Sequence, residues 1–288
     1  MQSLVIGARG IVGGYIVRRL VKLGERPLAI SRQPKVQANV QWILGDLIRP
    51  DDLTLPPVST IYCTAPVGLL ADAIERLASP SLRRVVAFTS TSLVTKLDSE
   101  LETERDSVRS WAEAEQRLID ACERLGIQWT ILRPTIIYDE GQDQNITRIA
   151  RLVQRLGFFP LAGSGKGLRQ PVHAEDLAIG AINAAASNAA INRIYAMPGG
   201  ETITYREMVG RIFDGIQRPR RIVSIPPVLW KLALMAMRPL VPNVNAAMGS
   251  RMNKDLIFDF TPAAQDLGWK PREFRPRFAK NNTDQTDA

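Results

Sequence analysis

Three glycines near the amino terminus limit what this chain can fold into more than any other feature. In Ser3-Leu-Val-Ile-Gly-Ala-Arg-Gly-Ile-Val-Gly-Gly-Tyr15, the run Leu4, Val5 and Ile6 suits a buried strand, and Gly7, Gly10 and Gly13 follow at a G-x-x-G-x-x-G spacing. Val12, Ile16, Val17, Leu20, Val21 and Leu23 then recur at helical intervals up to Gly24, a helix stop. The glycines therefore sit where a strand turns into a helix. Without Cβ atoms they permit a tight turn and a close approach of backbone to a ligand. The first N–H groups of the helix, at Ile11, Val12 and Gly13, and its positive dipole end would face that ligand, which favours a pyrophosphate. The pattern predicts a dinucleotide site; the alternative is a tight turn with no ligand.

The end of the second strand, Pro27 to Ser31, bears on which dinucleotide. In NAD sites an acidic residue stands roughly 20 residues past the glycines and bonds the ribose 2′-hydroxyl. This chain has Ser31 and Arg32 there, with Lys35 nearby and Arg9 inside the glycine loop. Cations and a hydroxyl suit a 2′-phosphate, which a carboxylate would repel. The expected coenzyme is NADP(H) rather than NAD(H); the alternative is that these are ordinary surface cations.

Short apolar strands and helices continue to alternate. Val40 to Leu44 leads to Gly45-Asp46-Leu47, where Asp46 could accept from an adenine amino group or cap a turn. Ser59 to Thr64 is followed by Ala65 and Pro66, small enough to leave room for a coenzyme backbone, and then by a helix from Val67 to Ala78. Arg84 to Thr89 precedes the hydroxyl cluster Ser90, Thr91 and Ser92. Asp98 to Asp106 reads as an exposed acidic loop. A helix from Val108 to Leu125 carries Trp111, Leu118 and Cys122 in its apolar pattern. Gln128 to Leu132 leads to Arg133-Pro134, with Ile136 and Tyr138 beyond. Such alternation means parallel strands joined by crossovers, a doubly wound sheet. Its ligands lie beyond the carboxyl ends of the strands. Gly7, Ser31, Asp46, Thr64, Ser90 and Pro134 all occupy such ends.

After Pro134 the alternation loosens. The sequence predicts an amphipathic helix with Ile146, Ile149, Leu152, Val153 and Leu156. Gly163-Ser-Gly-Lys-Gly167 lacks the P-loop spacing and reads as a mobile wall of a substrate pocket. A small-residue helix spans Glu175 to Ala186, with His173, the only histidine, in a local hydrogen-bonding role at its start. A strand from Arg193 to Met197 follows. Thr204-Tyr-Arg-Glu207 is a capping box opening a helix to Ile216, Arg221 to Ile225 a short strand, and Thr261-Pro262 another helix start.

Composition excludes several classes of function. With 45% hydrophobic and 23% charged residues, the 288-residue chain can bury a sizeable core. The net charge of +8 is spread along it, with groups at Arg218, Arg220, Arg221 and at Arg272, Arg275, Arg277. These form either a solvated basic surface or an attraction for an anionic ligand. No basic block is interleaved with aromatics, which argues against nucleic acid. Cys63 and Cys122 lack metal-ligand spacing; reduced structural thiols, no metal and a cytoplasmic location are expected. The chain enters its first strand directly, so no signal peptide is expected. The longest apolar stretch, Val228 to Val241, is broken by Lys231, Arg238 and Pro239; it is expected to be a buried helix, with membrane-surface contact as the minor option.

Together these residues resemble the extended and atypical short-chain dehydrogenase/reductases. The match includes Gly7-x-x-Gly10-x-x-Gly13, Gly45-Asp46-Leu47, Ile131-Leu-Arg-Pro134-Thr-Ile-Ile-Tyr138, Pro171-Val-His-Ala-Glu-Asp176 and Asp266-Leu-Gly-Trp-Lys-Pro271. The subgroup it is most similar to includes the NADPH-binding accessory subunit of respiratory complex I and the NmrA-like redox sensors. The resemblance implies a Rossmann-type α/β domain over residues 1–195, with 139–170 contributing to a substrate pocket. A smaller α/β substrate lobe over 196–280 and a disordered tail over 281–288 complete the expected chain.

The family's usual catalytic pair is a Tyr and a Lys four residues later, which lets the tyrosine exchange a proton while hydride moves. Its pattern places Ser107 at the Tyr position and Trp111 at the Lys position. No Tyr lies between Tyr62 and Tyr138, so no shift of alignment restores the pair. Three readings follow. One is an NADP(H)-dependent oxidoreductase for a small molecule, with Tyr138, Ser90 or Ser92 as candidate proton donors. The second is a non-catalytic NADP(H)-binding redox sensor or assembly subunit. The third, a sugar-nucleotide epimerase or dehydratase, requires the missing pair. Oligomeric state is not predicted.

Overall fold

The computed structural model describes residues 2–97, 99, 101–226, 229–230, 249 and 251–279. Most of the apolar stretch Val228 to Val241, and the tail expected from residue 281, lie outside the described residues. The chain forms two compact units. The first comprises Met1–Thr135, Ala174–Pro198 and Phe258–Pro271, the second Ile136–His173, Gly199–Ile257 and Arg272–Ala288.

The first unit is a Rossmann-like α/β fold. It is built on β1 (Ser3–Ile6), β2 (Leu28–Ser31), β3 (Gln41–Leu44), β4 (Thr60–Cys63), β5 (Arg84–Phe88), β6 (Gln128–Pro134) and β11 (Arg193–Met197). These form one seven-stranded sheet in the order β11-β6-β5-β4-β1-β2-β3, parallel throughout. The strand from Arg193 therefore joins the sheet as an edge, beside β6. The strands of the sheet's middle are apolar on both faces because helices cover both faces. On one, Leu4, Ile6, Ile61, Cys63, Val85, Ala87 and Ile131 form a core with Leu70 and Ile74 of α2 (Val67–Leu77) and Leu118 and Cys122 of α4 (Glu102–Arg124). Alternate residues point to the opposite face, where α1 (Ile11–Lys22) and α6 (Ala174–Ala186) pack on each other. The short α3 (Ser92–Thr95) follows β5, and α8 (Thr261–Leu267) starts with the expected proline in its first turn. Both cysteines are buried, and burial pushes each thiol up to about 12, as expected of inert structural thiols.

One expectation fails at α4. The acidic run read as a loop ending at Asp106 supplies instead the helix's first turns, from Glu102. Glu102 and Glu104 at a helix amino terminus complement its dipole, so their polarity marks a helix start.

Among the described residues, the second unit holds three two-stranded pairs. β7 (Ile137–Tyr138) runs parallel to β10 (Val172–His173), β9 (Leu168–Arg169) antiparallel to β12 (Ile203–Thr204), and β8 (Phe159–Ala162) parallel to β13 (Ile222–Ile225). Two helices, α5 (Ile146–Leu156) and α7 (Tyr205–Gly215), pack together in this unit. The capping box is realised: Thr204 Oγ1 accepts from Glu207 N–H at 3.0 Å. Asp143 caps α5, accepting from the amides of Asn145 and Ile146 at 2.7 and 2.6 Å.

The turn from β1 into α1 depends on two close approaches. Gly7 has φ +81°, and a Cβ there would stand 2.5 Å from Thr64 Oγ1; one on Gly13 would stand 2.3 Å from the Gly7 carbonyl oxygen. At Gly14 the nearest atom to an added Cβ is Arg18 Nη1, at an ordinary 3.6 Å. Gly13→Ala should therefore destabilise the protein by about 2 kcal/mol, the range for overpacked sites. Gly14→Ala, within the same helix, should be neutral or stabilise it by about 0.5–1 kcal/mol. Urea unfolding of the two variants measures both; equal effects would mean the turn is not so constrained.

Candidate functional site

Because the sheet is parallel, the carboxyl ends of its strands share one edge, and the predicted residues stand along it. Gly7 follows β1, Ser31 closes β2, Thr64 follows β4, Ser90 lies just past β5 and Pro134 closes β6. β1 sits between β4 and β2, the point where the strand order reverses and where such sheets bind ligands.

At that point Thr64 donates from Oγ1 to the carbonyls of Ile6 and Gly7, both at 3.2 Å, and the Gly10 amide donates to Gly7 at 2.9 Å. These bonds fix the turn beneath the amino terminus of α1. No side chain caps that terminus and its first turn has no acidic residue. The amides of Ile11, Val12 and Gly13 are those without intrahelical partners, so backbone donors and dipole are both presented to an anion.

The structure brings together two residues from separate parts of the sequence. Arg9 Nη1 lies 3.4 Å from Ser31 Oγ and 3.1 Å from Gln33 Oε1. Gln33, which sequence reasoning missed, also donates its amide to Ser31 Oγ at 3.2 Å. Arg32 is exposed, and Lys35 lies over the Trp42 ring at 4.5 Å. Asp46 accepts the Ile48 amide at 3.1 Å, capping the turn after β3, and Leu47 is buried. Ala65 and Pro66 lead into α2, with Pro66 as its amino-terminal cap residue.

Past β5 the hydroxyls are engaged locally. Thr89 donates to Glu115 Oε2 at 2.7 Å, Thr91 donates to the Pro134 carbonyl at 3.0 Å, and Ser90 Oγ accepts the Ser92 amide at 3.0 Å. On α4, Ser107 donates to the Thr103 carbonyl at 2.7 Å. Trp111 falls in the same stripe as the buried Val108, Glu115, Leu118 and Cys122, yet is 46% exposed. Its position on the helix explains the exposure. Glu115, one turn later, bonds Thr89 and Arg133 at the strand ends, so Trp111 lies about 6 Å further along the axis, past the sheet. The Glu115–Arg133 pair was not foreseen, although a glutamate inside an apolar helical stripe is a readable signal of a buried partner.

Ile136 and Tyr138 belong to the second unit. Tyr138 is 1% exposed and packs edge-on against His173 and Phe274, with ring centroids 5.1 and 5.0 Å away. His173 Nε2 stands 3.4 Å from Glu140 Oε2 and 3.9 Å from Asp139 Oδ1. Glu140 also accepts the Arg277 amide at 3.1 Å, and Asp139 accepts from Gln142 at 3.0 Å. Burial would raise the Glu140 carboxyl, but the hydrogen bonds from His173 and from backbone amides outweigh it and hold the group below the usual glutamate range. The glycine-rich loop at 163–167 is tied down: Asn253 accepts the Gly165 amide at 3.0 Å and donates to the Ala162 carbonyl at 2.8 Å. The basic groups are partly neutralised, Arg220 by Glu207 and Asp214, Arg275 by Glu201 and Glu273.

No protein-family model matches the chain. Among curated relatives, the alpha subcomplex subunit 9 of mitochondrial NADH dehydrogenase (ubiquinone) from Arabidopsis thaliana is 23% identical, over 84% of this chain and 64% of its own length. The chain thus spans under two thirds of that subunit. The UDP-glucose 4-epimerase of Vibrio cholerae is 24% identical, covering 93% of this chain and 90% of the enzyme. The 2-alkyl-3-oxoalkanoate reductase of Stenotrophomonas maltophilia is 25% identical over 94% and 95%. Of solved structures, an epimerase from Methanothermobacter thermautotrophicus superposes with a TM-score of 0.72 at 16% identity, covering 95% of this chain and 88% of that one. MoeE5, solved with UDP-glucose and NAD, superposes with 0.71 at 19% identity over 95% and 94%. The relatives and structural neighbours are epimerase/dehydratase-like short-chain dehydrogenase/reductases, the group the motifs resemble.

Two outcomes follow from the buried charges. Arg133→Ala leaves the Glu115 carboxylate buried without its cation and should cost about 3 kcal/mol, whereas replacing both partners by apolar residues should recover most of it; urea unfolding measures each variant. Glu140, with a folded pKa below its unfolded value of about 4.3, stabilises the protein above that pH and loses the contribution as pH falls through the folded pKa. Glu140→Gln should lower Tm at neutral pH, and the gap to wild type should close as the pH drops below about 4; a constant gap would deny the charge a role.

Proposed function

We propose that the first unit binds NADP(H) across the carboxyl edge of its sheet, and that the protein is an oxidoreductase acting on a small molecule without the family's Tyr–Lys pair. The observation that carries the coenzyme choice is the meeting of Arg9, Ser31 and Gln33, 22 and 24 residues apart in sequence. In this reading the amides of Ile11, Val12 and Gly13 hold the pyrophosphate, with Gly7 and Gly10 clearing its approach. Arg9 and Ser31, with Arg32, bind the 2′-phosphate. Asp46 and Leu47 border the adenine, Thr64, Ala65 and Pro66 the middle of the coenzyme, and Ser90 and Pro134 its nicotinamide end. The coenzyme supplies hydride when bound; these residues orient it, and orientation is most of what hydride transfer asks of a protein. Tyr138, buried among Phe274 and His173, acts in packing.

The second reading, a binding protein for which NADP(H) is a structural or signalling ligand, is favoured by Ser107 and Trp111, which cannot form the usual proton relay, and by the respiratory-complex subunit among the relatives. MoeE5, solved with NAD, supports a nicotinamide dinucleotide of either kind.

Calorimetric titration separates the possibilities for the coenzyme. NADPH should bind more tightly than NADH. Arg9→Ala should weaken NADPH about ten- to a hundred-fold, the effect of one charge-assisted bond to phosphate, and leave NADH nearly unchanged. Equal loss for both coenzymes, or tighter NADH binding, would remove the 2′-phosphate assignment.

A further inference from the structure

We propose that Asp139, Glu140 and His173 form a binding site for a divalent transition-metal ion, zinc foremost, within the second unit. The site is separate from the coenzyme reading and does not rest on it. Each residue offers one ligand atom, and the three atoms lie within 4.8 Å of one another. The imidazole Nε2 stands 3.4 Å from Glu140 Oε2 and 3.9 Å from Asp139 Oδ1. With metal–ligand bonds of about 2.0–2.2 Å, neighbouring ligand atoms of a tetrahedral zinc site stand about 3.3–3.6 Å apart. A direct N–H···O bond is usually shorter, about 2.7–3.2 Å. The trio is spaced as ligands of a shared cation are, with Asp139 having the furthest to move. One imidazole and two carboxylates suit zinc better than magnesium or calcium, which take oxygen donors and more of them. The charges agree. The side chains of Asp139 and His173 are each 7% exposed and that of Glu140 is 20% exposed, and buried carboxylates are costly unless offset. Within the trio a protonated imidazole offsets one of the two, whereas a dication offsets both and takes the neutral imidazole as a ligand.

The fold also aims the ligand atoms. β7 and β10 pair with His173 opposite Tyr138, whose ring braces the imidazole edge-on. Asp139 and Glu140 follow β7 directly. Gln142 donates to Asp139 Oδ2 at 3.0 Å and the Arg277 amide donates to Glu140 Oε1 at 3.1 Å. Each carboxylate is thus held by one oxygen while the other, Oδ1 or Oε2, is turned to the imidazole. Bonds of this kind orient the ligands of metal sites and are typically worth about 10- to 100-fold in affinity. The turn beneath them is fixed as well: the amides of Gln142 and Asp143 donate to the Asp139 carbonyl at 2.9 and 3.1 Å. Three protein ligands leave the fourth tetrahedral position to water. A bound ion ties the turn after β7 to β10 and, through Glu140, to the chain at Arg277. The cysteines give no sign of such a site because it uses none; the pairing of β7 with β10 creates it.

The test uses the full chain, treated with a chelator and dialysed, and metal salts alone. Calorimetry with Zn²⁺ should show one ion bound per chain, and Zn²⁺ at about a hundredfold excess over Kd should raise Tm by about 5 °C. Co²⁺ should bind with the visible spectrum of four-coordinate cobalt. Glu140→Gln and His173→Gln should each abolish Zn²⁺ binding, and Gln142→Ala, which removes no ligand, should weaken it about tenfold. Circular dichroism of the metal-free variants shows whether each is folded, and the cobalt spectrum of the wild type decides the matter where a variant is not. Mg²⁺ at the same concentration should leave Tm unchanged. Failure of the wild type to bind Zn²⁺, undiminished affinity in a folded ligand variant, a six-coordinate cobalt spectrum, or an equal rise in Tm with Mg²⁺ would each overturn the site.

Discussion

A methyl group on residue 13 would stand 2.3 Å from the Gly7 carbonyl oxygen, and one on residue 7 would stand 2.5 Å from Thr64 Oγ1. This three-way contact between the end of β1, the start of α1 and the residue after β4 determines how the first unit can be used. It lets the helix begin directly over the strand ends, so that unpartnered amides sit at the reversal of strand order. Thr64 holds the geometry by donating to two successive carbonyls. A larger residue at either glycine would push the helix outwards and take its amides away from the edge. An anion-receptive site therefore follows from sterics, with no cationic side chain needed to create it.

Much of this was legible because it is local. Strand, glycine turn and helix are contiguous in sequence, and β4, β5 and β6 announce themselves as apolar runs because helices cover both of their faces. What was not legible falls into two kinds. The first is non-local pairing. Arg9 meets Ser31 and Gln33 only because β1 and β2 are neighbours in register, and Glu115 meets Arg133 and Thr89 only because α4 packs on the face above β5 and β6. Asn253 pinning the 163–167 loop, 88 residues away from Gly165, is of the same kind. The return of 258–271 to the first unit, and the place of 136–173 in the second, also depend on tertiary packing.

The second kind is a pattern read correctly for periodicity but not for extent. Helix α4 is longer than the sheet it covers. Its apolar stripe holds from Val108 onwards, but the helix starts at Glu102, and the segment past the strand ends has no sheet to pack on. Periodicity puts Trp111 in the apolar stripe; the length of the helix relative to the strands carries that part of the stripe past the strand ends. The same geometry explains the acidic first turn, where charge favours the helix dipole and meets solvent.

A fold of this type does not decide a reaction, since relatives of this chain include an epimerase, a reductase and a respiratory-complex subunit. The decision lies in the side chains that stand past the end of β5. Proton transfer needs an acid whose proton is available and whose charge can change, and Ser107 and Trp111 meet neither condition. A serine hydroxyl bonded into its own helix is a poor donor to anything outside it, because releasing the proton means breaking that bond. Tryptophan carries no titratable group at all. The Ser90 hydroxyl, just past β5, differs from both: Ser90 Oγ accepts the Ser92 amide and donates to no neighbour among the described residues, so its proton is not committed to the fold as that of Ser107 is.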